Sequence, residues 1–502
     1  MNKLRSISTN VLNTAFLRLC IILFPLFAFS QTQVGSDING DLPYDHLGYS
    51  VALNAIGDIM VVGIPHYYNP NNIPGRVRVY QYNGDDWQQL GNDVYGTVNS
   101  GAFGLTVDIN AIGNIIAIGE PDNATTSNPG NVEVYEFDGN AWQQLGQTLS
   151  GVENGDVFGN SISLDDTGTI MAVGIPSYNE DDKPGSAQVY QYDGGSWEPL
   201  GSKIDGVLNK DDFGCAVSLN SSGDILAVGA SSGSLNANES GYSQIFQRIN
   251  NEWEQIGETI LGEGDFDWLG TSVQLNNAGN IIAVGAPWYN SRTGYVEVFE
   301  FVNNSWVQKG NRIDGESEGV QLGYKISMNA NGNFLALGMP KFNYNTGGAD
   351  IGKVKTYHFI QNDWINVGED IIGEDEGDAS GAVSLNDNGL LLAIGAWGND
   401  DGGNNVGQVR VYDLSDRLDV NDLLINETTI EVFPNPTHDL LNIQAEQQIS
   451  SIEIVNILGQ TLLTSKGNSN HEQIDISGLA AGNYFVKVVV EDGSRVLRVV
   501  VF

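Results

Sequence analysis

Five aspartates recur at one place in the chain: Asp45, Asp156, Asp211, Asp267 and Asp378 each stand three residues before a glycine. Repeated carboxylates can ring a pore and hold a cation, and a distant pair can supply the acid and base of glycoside cleavage. The same position suits a residue that caps a turn with its own side chain, and this is the role we expect. A second set is aromatic: Tyr67, Tyr68, Tyr178, Trp288, Tyr289, Phe342, Tyr344 and Trp397 lie among Asn, Asp and Gly. Rings beside amides and carboxylates stack on sugars or anchor protein partners. Those that recur two or three residues after a G-x-P turn, such as Tyr67, Tyr178 and Tyr289, can instead tuck under their own loops. These eight are the candidate ligand-binding residues.

Recognisable reaction centres are missing. The five histidines, His46, His66, His358, His438 and His471, show no metal-ligand spacing, and the chain has neither a nucleophile elbow nor a phosphate loop. No catalytic residue, metal or cofactor is assigned. A carboxylate pair stays open as an alternative, because 62 acidic residues are available and sequence spacing does not constrain such a pair. Cys215 is the one cysteine outside the N-terminal 30 residues, so no internal disulfide is expected, and its slot reads as a half-buried strand position.

A repeat positions these residues. Glycines at 48, 104, 159, 214, 270, 323 and 381 open seven copies of one motif, at steps of 56, 55, 55, 56, 53 and 58 residues. A fixed period of this size means one supersecondary unit per copy, packed on its neighbours. Each unit reads as four short strands; in the second copy these are 105–110, 114–120, 131–137 and 142–149. The second strand, as in IIAVGAP (281–287), is a near-continuous apolar run that suits burial on both faces. The expected fold is all-β: a seven-bladed β-propeller over residues 31–414.

The outermost strand carries a tryptophan in six copies: Trp87, Trp142, Trp197, Trp253, Trp306 and Trp364. The seventh copy stops after its third strand, at 407–414, while VGSDING (34–40) aligns with LGNDVYG (90–96). An N-terminal strand is therefore expected to complete the last blade and remove an open edge. The turns between the first two strands, such as NAIGD (54–58) and NSSGD (220–224), are too short and too poor in carboxylates for calcium. The connections between the second and third strands are long and variable, and all seven project from one face. Variable loops on a rigid scaffold are the usual place for binding.

Residues 1–30 read as a signal peptide: Lys3 and Arg5 are basic, 19–29 is apolar, and Ala28–Ser30 fits a cleavage site. No other segment is apolar enough to span a membrane. The formal charge of −40 becomes about −43 without Lys3, Arg5 and Arg18. So acidic a chain does not bind nucleic acid through a general field. Residues 415–429 are polar and read as a linker, and about seven short strands follow over 430–502, indicating a small Ig-like β-sandwich.

That tail resembles the C-terminal sorting domain of type IX secretion substrates. The matching marks are Phe433, Pro434, Asn435 and Pro436, the ILGQ turn with Gly459, and LAAGNYFVKV with Gly482 and Tyr484. The resemblance implies export by the type IX machinery to the surface of a gram-negative cell, or release from it. The repeat resembles FG-GAP propellers, the family of integrin α-subunit heads, through Phe103-Gly104, Phe158-Gly159, Phe213-Gly214 and Gly285-Ala286-Pro287. This speaks for fold more than for function. The expected function is binding or adhesion, to an extracellular glycan or protein, through the long loops. A glycan-active hydrolase or lyase and a structural part of a surface assembly are the alternatives.

Overall fold

The computed structural model describes residues 32–66, 74–96, 102–121, 129–153, 155–176, 183–341, 350–415, 430–434, 437–445, 448–456, 461–480, 482–490 and 493–501. The chain divides near residue 417 into two compact units. Among the described residues, no helix is long and apolar enough to cross a membrane.

The first unit is a β-propeller. Its described residues form seven antiparallel sheets, each of five strands. In the second blade the strands run outward from Thr106–Ile109 through Ile115–Glu120 to Asn131–Phe137. The expected fourth strand is two pieces, Trp142–Gln144 and Leu149–Ser150, both paired with the third. Gly146 makes the break, at φ +78°, and a Cβ there would lie 2.8 Å from the Trp197 ring of the next blade. The interruption thus makes room for a neighbour's tryptophan.

Blade faces form the core. The second strands Ile115–Glu120, Ile170–Ile175, Ile225–Ala230 and Ile281–Ala286 are buried throughout. Both faces are covered, which is why their sequences are continuous apolar runs. Val132 and Val134 of one blade meet Met171 and Val173 of the next, and Ala187 and Val189 meet Leu226 and Val228. The approach is close: a Cβ on Gly63 would sit 2.0 Å from the Gly104 carbonyl oxygen.

Two devices close the ring. At its narrow end, one backbone hydrogen bond per blade joins residues 55, 111, 166, 221, 277, 330 and 387, and the circuit ends with the Asp387 N–H donating to Ala55 at 3.0 Å. At the rim, the N-terminal segment completes the last blade: Thr32 and Gln33 pair with Asp413 and Tyr412, and Ile38 and Asn39 with Val409 and Gln408. The rim tryptophans tie blade to blade. The Trp142 indole N–H donates to the Leu90 carbonyl at 2.9 Å, Trp197 to Leu145 at 2.8 Å, and Trp87 to Val34 of the closing segment at 3.0 Å.

The second unit has two sheets. Ile430–Phe433, Leu440–Ala445 and His471–Asp475 form one, and Thr461–Lys466, Ile449–Asn456, Gly482–Val490 and Gly493–Val501 the other. Leu441, Ile443, Ile452, Ile454, Val486 and Val488 share one buried core, as a β-sandwich requires.

Candidate functional site

The recurrent aspartates are turn caps, buried in four cases and half-buried at Asp156. Asp45 Oδ2 accepts the N–H groups of Asp41 and Leu42 at 2.9 and 3.0 Å. Asp378 does the same for Glu374 and Asp375, and Asp156 for Val152 and Glu153. Asp211 and Asp267 take Leu208 and Gly264. Asp45 also meets Arg76 at 2.7 Å and His66 at 2.8 Å. Burial alone would raise its carboxyl, but the His66 hydrogen bond and the Arg76 charge outweigh burial and hold it below the usual range.

The short turns use their side-chain oxygens internally. Asn54 Oδ1 accepts from Gly57 and Ile59, both at 3.0 Å, and Asn220, Asn276 and Asn329 likewise accept from Ile225, Ile281 and Phe334. Among the described residues, no group of three or more His, Cys, Asp or Glu is placed to hold a metal ion.

The opposite, wide end of the channel holds a cavity of about 550 Å³. Its base is a collar of one Val or Ile from each blade, running from Val51 to Val383. A recess of about 270 Å³ adjoins it and shares Tyr49, Tyr324, Lys325 and Ala382. Two aromatic walls face this space. On one, Trp268 and Trp288 stack at 4.4 Å between centroids, with the Arg292 guanidinium 4.2 Å from the Trp288 centroid. On the other, Trp397 lies 5.9 Å from Tyr49 and 5.6 Å from His46, with the Lys341 ammonium 5.8 Å from its centroid.

Of the eight candidate residues, the structure brings Trp288 and Trp397 to this mouth. Tyr289 goes elsewhere: it meets Tyr295 edge-on at 5.1 Å, and its hydroxyl accepts from Arg312 at 3.3 Å. Tyr67, Tyr68, Tyr178, Phe342 and Tyr344 lie outside the described residues. In the tail, Tyr484 is buried and its hydroxyl donates to the Ala480 carbonyl at 2.7 Å; Phe433, Pro434 and Gly482 are exposed. Asn435, Pro436 and Gly459 lie outside the described residues.

Sequence reasoning missed Trp268, Tyr49, Tyr324 and Lys325. A signal existed. The residue after the anchor glycine varies (Tyr49, Leu105, Asn160, Cys215, Thr271, Tyr324) within an otherwise constant motif. His46, Asp212 and Trp268 each stand two residues before that glycine, with φ of 54°, 56° and 57°, and all three line the mouth. Burial pushes the Asp212 carboxyl up to about 6, against a hydrogen bond from Ser232. Burial also pushes the Cys215 thiol up to about 12, which keeps it protonated at neutral pH.

Residues 431–502 match the family of secretion system C-terminal sorting domains. The tail is thus a type IX sorting domain, which marks a protein that is secreted or displayed on the cell surface. No curated protein matches the chain in sequence. Among solved structures, a periplasmic gluconolactonase of Pseudomonas aeruginosa is similar at 13% identity and TM-score 0.46, over 80% of this chain and 95% of its own. Kuenenia stuttgartiensis hydrazine synthase is similar at 12% identity and TM-score 0.49, over 76% and 98%. Likeness at this level carries no activity over to this chain.

Proposed function

We propose that the propeller is an exported binding module that takes a glycan at the wide mouth of its channel, on the surface of a gram-negative cell or after release from it. The type IX machinery reads the sorting domain, and the propeller is the cargo. The observation that supports binding is the pair of aromatic walls at the end where the variable loops emerge: Trp268–Trp288 on the cavity and Trp397–Tyr49 on the recess that adjoins it. Indole faces stack on the C–H faces of sugar rings, and the tyrosine hydroxyls supply hydrogen bonds.

The test is a glycan array probed with the purified chain and with a Trp288→Ala/Trp397→Ala double variant. The expected result is binding by the parent and a loss of roughly tenfold or more in the variant, at unchanged melting temperature. No glycan bound by the parent, or full retention by the variant, overturns the reading.

A further inference from the structure

Lys325 departs from the rule of the repeat. Its slot, immediately before the Val or Ile of the collar, holds Ser50, Thr106, Ser161, Ala216, Ser272 and Ala382 in the other six blades. Where a hydroxyl stands there, it ties blades together: Ser50 donates to the Gly104 carbonyl at 3.0 Å, Thr106 to Gly159 at 2.8 Å and Ser272 to Gly323 at 2.6 Å. Lys325 gives up that bond and extends, exposed, into the mouth. It makes no ion pair with a described residue; its ammonium lies 5.9 Å from the Tyr324 ring centroid. A local rule broken without structural gain is the mark of a functional position.

The surroundings support that mark. The recess is lined by His46, Lys325 and Lys341 beside Tyr49, Tyr324 and Trp397, and among the described lining residues there is no carboxylate. This occurs in a chain of 62 acidic and 22 basic residues. Lys341 is held at the rim by Asp350 at 2.7 Å. Lys325 is accessible yet surrounded by blades, and this crowding lowers its ammonium pKa. An anion bound beside it would restore the charged form.

We propose that the ligand of this mouth is an acidic saccharide of the uronic acid class, whose carboxylate pairs with Lys325 while its ring stacks on Trp397. The proposal rests on the reading of the mouth as a glycan site and adds the charge of the ligand. A uronate joins an apolar ring face, hydroxyls and one carboxylate on a single ring. The recess offers Trp397, the tyrosines and Lys325 in the same combination. The negative field of the whole chain disfavours anions, so recognition has to come from a charge placed at the site.

The test is calorimetric titration of the purified chain with oligogalacturonate, oligoglucuronate and oligomannuronate and with their methyl esters. The esters keep the ring and remove the charge. At least one free acid is expected to bind, with its ester weaker by roughly tenfold or more. Lys325→Ser installs the side chain of Ser50, Ser161 and Ser272, so the fold should be kept. It is expected to weaken the acid to the level of the ester and to leave the ester unchanged. Equal binding of acid and ester, or full acid binding by Lys325→Ser, overturns the acidic ligand. Binding of neutral glycans alone also overturns it, while leaving the mouth as a glycan site. Loss of acid binding in Lys325→Ser but not in Trp397→Ala supports the charge pairing and removes the stacking on Trp397.

Discussion

Asp108 Oδ2 accepts the backbone N–H of Leu164 across a blade joint at 2.7 Å. At four other joints a serine hydroxyl takes the same bond: Ser163 from Leu219, Ser218 from Leu275, Ser327 from Leu385 and Ser384 from Leu53. The carboxylate therefore does the work of a neutral acceptor, in a place that disfavours its charge. Burial pushes it up to about 6, against the N–H groups of Leu164 and Ile109.

The sign follows from linkage. A folded pKa above the unfolded one means that folding favours the protonated acid, so the penalty is absent below about pH 4 and complete above about 6. Asp108→Ser should stabilise the chain at pH 8 by about 1–2 kcal/mol, after allowance for partial exposure, and much less at pH 4. Denaturant unfolding at both values checks this. An equal effect at the two values would sink the assignment. Asp45, held below the usual range, works in the opposite sense: its contribution is present at neutral pH and is lost as the pH falls through its folded pKa.

The rim tryptophans combine packing with one hydrogen bond. Trp197 is 1% exposed and donates to Leu145 at 2.8 Å. Trp197→Phe keeps most of the packing and leaves the carbonyl without its donor, a cost of about 1–2 kcal/mol. Trp197→Ala also opens a cavity between two blades and should cost about 3–5 kcal/mol. Unfolding free energies for the two variants separate the contributions. Near-equal losses would mean that the hydrogen bond dominates and that the packing account is mistaken.

The fold was legible because stacking blades impose the same requirements seven times. Gly63 and its equivalents face a neighbour's backbone, and the second strands are covered on both sides, so neither tolerates drift. The division of the outer run into Trp142–Gln144 and Leu149–Ser150 was not legible: both pieces show strand composition, and the break depends on the next blade's tryptophan. The mouth was half legible. Trp397 and Trp288 stand out in variable loops. Tyr49 and Tyr324 lie just before a constant strand and Lys325 opens one, where a varying residue looks like packing until the channel shows which way it faces. Trp288 and Tyr289 are adjacent in sequence and end in different environments, a separation that loop composition does not encode.

Closure by the N-terminal segment makes the last prediction. Thr32–Gln33 and Ile38–Asn39 cover the outer edge of Gln408–Asp413, Val34 bonds to Val411 at 2.8 Å, and the Val34 carbonyl receives the Trp87 indole. Ile38 is 8% exposed and belongs to the core between the last and first blades. Deletion of residues 31–40 removes this burial, worth about 1.5–3 kcal/mol for Ile38, and the Trp87 bond, worth about 1 kcal/mol. The melting temperature should fall by several degrees. The deletion also uncovers a strand edge, and an uncovered edge pairs with other chains. Concentration-dependent association, measured by sedimentation, should therefore accompany the lower melting temperature. Ile38→Ala, which keeps the backbone pairing, should show the thermal loss without the association. An unchanged transition in the deletion variant would mean that the ring holds through its inner circuit of backbone bonds alone.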